Sequence, residues 1–389
     1  MTTTIPLRSC CLIGEGTLLV QCAEVALSQG FAIRGVVSSA PEVVRWCDAH
    51  GVARIAASQD QPAFLGREPF DYLFSIINHA VCAPEVLALP RQAAINFHDS
   101  LLPRYAGFNV TSWALLAGET SHGVTWHEMS ERVDAGRILK QREFAIAADD
   151  TAFTLAAKCY DAAIESFAEL LHELLAGTSV PQAQDNAQRS YYTRQRRPVG
   201  GALIAWDRPA AELDALVRAL NFGPDANPLA VAKCRFGDEW WVATDAAIAS
   251  DEVAPGGSGA TPAAPGTVLA IAADGITVAT ASEPLRLRAL QTLAGAAVSP
   301  HELTQRCGLR PGAQLAGLDD EAHARFAQAV DRLATHEAFW TRRLAAATPY
   351  TLAPSPGAVP APGARVRHRF ELPETVRAAL RARLPVDAA

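Results

Sequence analysis

Short apolar runs alternate with amphipathic segments through the first 150 residues. Residues 10–13 form the first run, followed by Gly14-Glu15-Gly16 and a helical stretch to about residue 29. Residues 31–37 read as the next strand and 41–50 as the next helix; 72–77 and 94–97 are further buried-strand candidates. Strand and helix taking turns predict a mostly parallel sheet with helices on both faces. Ligands of such sheets bind beyond the carboxyl ends of the strands. Residues 123–129 and 137–146 predict two more strands. Asp149-Asp150-Thr151 then offers an N-cap for a long helix. On it Leu155, Cys159, Ala163, Phe167, Leu170, Leu171 and Leu174 recur at helical spacing, the mark of a face packed on the core.

The pattern changes at Gly177. A polar stretch to about residue 201 predicts a linker, and within it Tyr191-Tyr192-Thr193-Arg194-Gln195-Arg196-Arg197 is a basic-aromatic cluster that reads as solvated. One helix (210–220) and short strands at 230–236, 240–244, 266–271, 275–280 and 285–290 follow. They are the signature of a small barrel, with residues 255–265 as a flexible loop inside it. Helical segments at 301–309 and 319–346 precede a Pro/Ala/Gly tract at 353–364 and a last strand-like and helical piece. The expected fold is α/β. A domain with a mostly parallel, Rossmann-like sheet spans 1–178, a linker 179–203, a small OB-like barrel 204–295, a helical segment 296–348, and a Pro/Ala-rich linker with the start of a further module 349–389.

Composition narrows the function classes. The chain of 389 residues exceeds one ordinary core, so two or three domains are expected, and 49% apolar with 19% charged residues is globular usage. Residues 1–199 carry 16 Lys and Arg against 21 Asp and Glu, and residues 200–389 carry 18 against 20. Neither half is basic, so the electrostatic footprint of a nucleic-acid partner is missing. The 8 cysteines show no Cys-x-x-Cys spacing and read as reduced, packed thiols. The N-terminus has no secretory pattern, and no apolar run approaches the ~20 residues that span a bilayer. A cytoplasmic chain without membrane contact is expected.

The candidate chemistry sits at Asn96-Phe97-His98, followed by Ser100-Leu101-Leu102-Pro103, and at Val133-Asp134-Ala135-Gly136. An amide, an imidazole and a carboxylate beside turns make a kit for moving an acyl group onto an amine. Such transfer needs a donor aimed at the developing oxyanion, a group that manages the amine's proton, and a third that fixes the imidazole. In extended chain Asn96 and His98 project to the same face, and Asp134 can reach across to the imidazole or the amine. Taken singly, an Asn-x-His pair is more often structural, and an Asp before Ala-Gly is a turn residue. Other features carry less. Gly14-Glu15-Gly16 lacks the third glycine of a dinucleotide fingerprint, Leu19 standing there, and reads as a tight strand–helix turn. His122 and His127 are five apart in a strand and are expected on opposite faces, so no metal site is expected. Trp113 and Trp126 suit either the core or an acceptor pocket.

These separated motifs, with Gly123-Val124-Thr125 before the Asp134 loop, resemble in order and spacing the formyltransferase family that uses 10-formyltetrahydrofolate. The resemblance implies that Asn96, His98 and Asp134 are the catalytic trio; the expected roles are Asn96 stabilising the oxyanion, His98 as its partner and proton donor, and Asp134 holding the imidazole and taking the amine's proton, directly or through water. It also implies that backbone groups at Ala80, Val81, Cys82 and Val133 hold the folate. Residues 204–295 look like the small C-terminal barrel of methionyl-tRNA formyltransferases, through Ala205-Trp206-Asp207, Pro265-Gly266-Thr267 and Leu290-Gln291. That barrel is basic in the tRNA enzymes, and its near-neutral counterpart here argues against tRNA. Tyr105-Ala106-Gly107, Thr111-Ser112-Trp113-Ala114, Lys158-Cys159-Tyr160 and Asn221-Phe222-Gly223 are similar to the formylation domains that begin some nonribosomal peptide synthetases. Residues 336–346 resemble the lead-in to the next synthetase module. The implied acceptor is the amine of an amino acid, free or as an aminoacyl group on a peptidyl carrier protein, in nonribosomal peptide or siderophore biosynthesis, with adjacent synthetase domains as partners. Three alternatives stand beside it: a nucleotide-sugar amine formyltransferase, a formyltetrahydrofolate hydrolase, and a non-catalytic docking module. Asp99 directly after His98 is a departure from the family pattern, an extra carboxylate able to shift the imidazole's pKa.

Overall fold

The computed structural model of the chain describes residues 8–249, 263–315, 317–318, 320–345, 374–375 and 377–378. The expected loop at 255–265, except its last three residues, and the Pro/Ala/Gly tract at 353–364 lie outside them. The chain divides into two compact units, Met1–Glu337 and Ala338–Ala389. In the second unit the described residues are helical, with Arg342 Nε donating to the Ala338 carbonyl one turn back.

The first unit opens with the alternation the sequence predicts. β1 (Ser9–Gly14), α1 (Gly16–Ser28), β2 (Ala32–Val37), α2 (Pro41–His50), β3 (Arg54–Ile55), α3 (Gln61–Leu65), β4 (Tyr72–Ile76), α4 (Pro84–Leu87) and β5 (Ala93–His98) follow one another. Every residue of β1 and β4 is buried, as befits strands covered on both faces. Gly14 (φ +141°) is obligatory at the end of β1: a Cβ there would lie 1.7 Å from the Ile76 carbonyl oxygen. That close approach makes the tight turn into α1. β6 (Ala106–Gly107) and α5 (Val110–Leu116) lead to β7 (Ser121–Glu128), β8 (Ile138–Ala145) and the long α6 (Ala152–Ala176). The seven-stranded sheet runs β3-β2-β1-β4-β5-β7-β8, parallel up to β5 and antiparallel for β7 and β8.

Thr151 caps α6 with a reciprocal box: its hydroxyl accepts from Thr154 N–H and Thr154 Oγ1 accepts from Thr151 N–H. The apolar stripe of α6 covers the sheet. Phe167 meets Phe74 edge-on at 5.0 Å and Trp126 at 4.7 Å between centroids, and Trp126 Nε1 donates to Ser166 Oγ. Trp126 therefore belongs to the core.

The stretch after α6 is largely exposed, as its polarity predicts, but it is tied to the first domain. β9 (Tyr191–Tyr192) pairs in parallel with β6. The Tyr192 ring stacks on Tyr105 (5.6 Å) and Trp113 (4.9 Å), so burying aromatic surface outweighs the polarity of its neighbours. Beyond it come α7 (Ala210–Ala219), β10 (Lys233–Phe236), β11 (Glu239–Ile248), β12 (Val268–Ala272), β13 (Gly275–Val278), β14 (Leu285–Thr292), β15 (Ala297–Val298), α8 (Pro300–Cys307), α9 (Asp320–Ala334) and α10 (Glu337–Ala345). The strands form an antiparallel half-barrel in the order β10-β11-β14-β13-β12, with β15 on β14. Its core, with Phe236, Trp241 and Leu287, is continuous with Tyr105, Val110 and Trp113 near α5. Among the described residues no helix is long and apolar enough to cross a membrane.

Candidate active site

His98 ends β5, where the parallel part of the sheet gives way to antiparallel pairing, at the carboxyl edge of the parallel strands. The Ser100–Pro103 turn after it is tied down by buried Thr125, which faces His98 across the β5–β7 ladder. Thr125 Oγ1 donates to the Ser100 carbonyl (2.6 Å) and accepts from Leu102 N–H (3.1 Å) and Gln141 Nε2 (2.9 Å). Gly123, two residues earlier, leaves room for the turn: a Cβ would meet Leu101 Cδ2 at 2.5 Å and the Arg142 carbonyl at 2.3 Å. The Gly-Val-Thr and Ser-Leu-Leu-Pro motifs are thus two sides of one contact.

The imidazole of His98 is 6% exposed. Its Nε2 lies 2.8 Å from the Tyr105 carbonyl, which can only accept, so Nε2 carries a hydrogen. Nδ1 is left facing Asp134 Oδ2 at 3.8 Å and Asp99 Oδ1 at 3.9 Å. Asp134, 9% exposed, sits at φ +50° on its loop, a conformation an aspartate tolerates better than most residues. The loop is gripped from the segment after α6: Gln184 Nε2 donates to the Asp134 and Gly136 carbonyls (3.0 and 2.7 Å), and Arg189 to those of Asp134 and Val133 (3.0 and 2.8 Å). Asp134 Oδ2 accepts from Gly107 N–H at 2.9 Å. Burial opposes ionisation of Asp134, but the charge of His98, the hydrogen bond and charge of His127, and the Gly107 N–H hold its carboxyl well below the usual range.

Asn96 lies two residues before His98. Its Nδ2 donates to the Phe97 carbonyl (2.8 Å) and stands 3.2 Å from His127 Nε2. His127 Nδ1 in turn donates to the Glu128 carbonyl (2.8 Å), which fixes the tautomer. A neutral His127 accepts at Nε2 from Asn96. A protonated one makes that nitrogen a donor toward Asp134 Oδ1, 3.6 Å away. Asn96, His98 and Asp134 are brought together, and His127 joins them although five-residue spacing from His122 gave no reason to place it there.

Asn96, His98 and Asp134 line a cavity of about 270 Å³ with Asp99, Phe108, Phe153 and Asp225, and His127 lies behind its wall. Val133 also lines it. Ala80, Val81 and Cys82 do not: the wall on that side is Ile77, Asn78 and His79. The Asn78 side chain bonds back into that loop. It accepts from Ala80 N–H (3.1 Å) and donates to Cys82 Sγ (3.4 Å), an Asx turn that leaves Val81 80% exposed and Cys82 in a separate apolar cluster. Asp225 arrives from the loop after α7. Gly223 in that loop (φ +58°) packs so closely on Phe153 that a Cβ would be 2.8 Å from the ring.

The family model named formyl transferase matches residues 78–171, and that of its C-terminal domain residues 200–308, together more than half of the chain. The chain belongs to the formyl transferase family. Solved structures of similar fold include WlaRD, a sugar 3N-formyl transferase crystallised in the presence of dTDP and 5-N-formyl-THF, with a TM-score of 0.58 and 16% identity over 72% of this chain and 97% of that one. The N-formyltransferase from Helicobacter canadensis, in complex with folinic acid and dTDP-3-aminofucose, gives 0.56 and 16% over 72% of this chain and 99% of that one. HypX from Aquifex aeolicus, in complex with tetrahydrofolic acid, gives 0.53 and 15% over 76% of this chain and 46% of that one. At such identities the likeness is one of fold.

In this formyltransferase His122 lies behind the site and not in it. Buried, it places Nε2 2.8 Å from the Asp99 carbonyl. Burial, with the charge of His98, holds its imidazole below the usual histidine range against the pull of Asp99. A neutral His122 contributes stability that is complete above the ordinary histidine pKa of ~6.5 and is lost as pH falls through that value toward the depressed one. Melting temperature is expected to drop on acidification from neutral pH, and His122→Gln to drop less steeply. Parallel melting curves for the two proteins between neutral and mildly acid pH would contradict this.

Proposed function

We propose that the protein transfers a formyl group from 10-formyltetrahydrofolate to the amine of an amino acid, most productively an aminoacyl group on a carrier protein, in nonribosomal peptide or siderophore biosynthesis. The observation that carries the acceptor is the charge of the cavity. Asp99, Asp134 and Asp225 line it, and no lysine or arginine stands among its described lining residues. An ammonium group is drawn in. A diphosphate would meet like charges costing about 1 kcal/mol per pair at 4 Å in water and about 4 kcal/mol at an effective dielectric of 20. A free amino acid's carboxylate meets the same repulsion, which an ester or thioester removes. The folate donor is supported by the cavity's apolar walls, Ile77, Phe97, Phe108 and Phe153, and by the folates bound to proteins of similar fold.

Ile77, Asn78, His79 and Val133 would hold the donor, which supplies a formyl group on a nitrogen able to leave. His98 Nδ1, its other nitrogen committed to Tyr105, takes the proton that the attacking amine loses and returns it to the donor's nitrogen as the old C–N bond breaks. Asp134 balances the imidazolium that forms, with Asp99 beside it. Asn96 turns an amide N–H from the Phe97 carbonyl toward the oxygen on which negative charge develops.

The test is a mass-spectrometric assay with 10-formyltetrahydrofolate and a panel of acceptors: a carrier-loaded aminoacyl group, the free amino acid and a nucleotide-linked amino sugar. The carrier-loaded amine is expected to be formylated with the highest kcat/KM. Formylation of the amino sugar alone would refute the acceptor assignment.

A further inference from the structure

A second cavity, of about 420 Å³, lies against the half-barrel and shares no lining residue with the cavity of Asn96 and His98. Its floor is the edge strand β10, where Lys233 and Arg235 alternate with the buried Cys234 and Phe236 and so project away from the half-barrel core. The segment before α7 forms one wall. Ile204 N–H donates to the Lys233 carbonyl (2.7 Å), and Trp206 follows, 5% exposed. The other wall is α9, which two glycines admit. A Cβ on Gly200 (φ +67°) would lie 2.3 Å from His323 Nε2, and one on Gly201 2.6 Å from the Phe326 ring. Phe326 in turn stacks on Trp240 at 6.1 Å. Two indoles, Leu203 and Leu315 therefore line the cavity beside a few polar groups, the make-up of a small-molecule site.

Those polar groups are unevenly matched. Arg208 is paired with Glu212 (3.1 Å) and Arg235 with Asp238 (2.6 Å). Gln314 is engaged at both ends, accepting from Thr267 Oγ1 (3.0 Å) and donating to the Pro265 carbonyl (2.6 Å). Lys233 Nζ donates to the Val231 carbonyl (2.8 Å) and, among the described residues, forms no ion pair. Burial pushes its amine down to about 8, as expected of an ammonium that has lost water without gaining a counter-charge. The indole N–H of Trp206 has no acceptor among the described residues either. An oxygen anion supplies what both donors lack. Asp207 also lines the cavity, but it is exposed and not paired with Lys233. Its charge disfavours a second negative charge on the ligand.

We propose that this cavity is a second ligand site, taking a small monocarboxylate with an aromatic or branched apolar body. The carboxylate meets Lys233 and the Trp206 N–H, and the body lies against the indoles of Trp206 and Trp240. The site is separate from formyl transfer and stands whatever the acceptor of that reaction is.

The test is calorimetry on the full chain with three probes of one shape: 3-phenylpropanoate, its neutral amide 3-phenylpropanamide, and 2-phenylethyl phosphate. The carboxylate is expected to bind about tenfold more tightly than the amide, the scale of one charge-assisted contact, and more tightly than the phosphate. Lys233→Met should bring the carboxylate-to-amide ratio of Kd values toward one, and Lys233→Arg, which keeps the charge, should preserve the preference. A ratio measured within one variant is not moved by partial unfolding. Failure of 3-phenylpropanoate to bind the wild type would overturn the proposal, as would equal affinity for carboxylate and amide. A preference that survives in Lys233→Met would place the probe elsewhere and overturn it too, and tightest binding by the phosphate would overturn the choice of a monocarboxylate.

Discussion

Asp134→Asn is expected to lower formyl transfer about a thousandfold while the protein stays folded. The substitution is nearly isosteric, but it removes the negative charge 3.8 Å from His98 Nδ1, where the amine's proton is to reside. It also sets an amide against the Gly107 N–H and His127, which both face the present carboxylate. Because the folded-state pKa of Asp134 lies below its unfolded value, the wild-type stability it contributes is complete above the ordinary aspartate pKa and is lost as pH falls through it. The variant should lack that part of the acid-side loss. Single-turnover rates and melting curves across pH measure both effects. Turnover within a few-fold of wild type would remove Asp134 from the mechanism.

Gly136→Ala is expected to destabilise the protein by about 1–3 kcal/mol and to slow transfer about a hundredfold. A Cβ at position 136 would lie 1.7 Å from the Glu128 carbonyl oxygen and 2.6 Å from its carbon. The contact is with backbone, so no side chain can swing away. Glu128 N–H donates to the Arg137 carbonyl (2.8 Å), and the Arg137 guanidinium is paired with the Glu128 carboxylate (2.6 and 2.7 Å), so the two strands cannot part cheaply. The strain is relieved by lifting the loop that carries Asp134. Denaturant unfolding and kcat/KM together check this, and a variant with wild-type stability and rate would show the close approach to be dispensable. The glycine of the Asp-x-Gly motif is there for packing, and Asp134 is placed by it.

Local chemistry made much of this molecule legible in the sequence. The helix at 41–50, the Thr151 cap, the α6 stripe and the strand end at His98 follow from periodicity and capping alone, because each is decided within a few residues. His127 was not legible. It reaches Asn96 and Asp134 because β7 pairs antiparallel with β5 in the register that sets Asn96 opposite His127, and no sequence distance fixes a register. Asp225 belongs to a loop far along the chain, brought to the cavity by the packing of Gly223 on Phe153. The polar composition of 179–203 hid a segment that grips the Asp134 loop through Gln184 and Arg189 and stacks a half-buried Tyr192 on Trp113. Ala80, Val81 and Cys82 do not line the cavity, where Ile77, Asn78 and His79 stand, and the Asn78 side chain bonds back into that loop.

The most direct measurement follows a carbon-13 label in the formyl group of 10-formyltetrahydrofolate by NMR, with an aminoacylated carrier present and absent, in wild-type and Asp134→Asn proteins. The label is expected on the acceptor's nitrogen in the wild type, only when the acceptor is present, and about a thousandfold more slowly in the variant. Release of labelled formate at the same rate with and without the acceptor would contradict transfer to an amine.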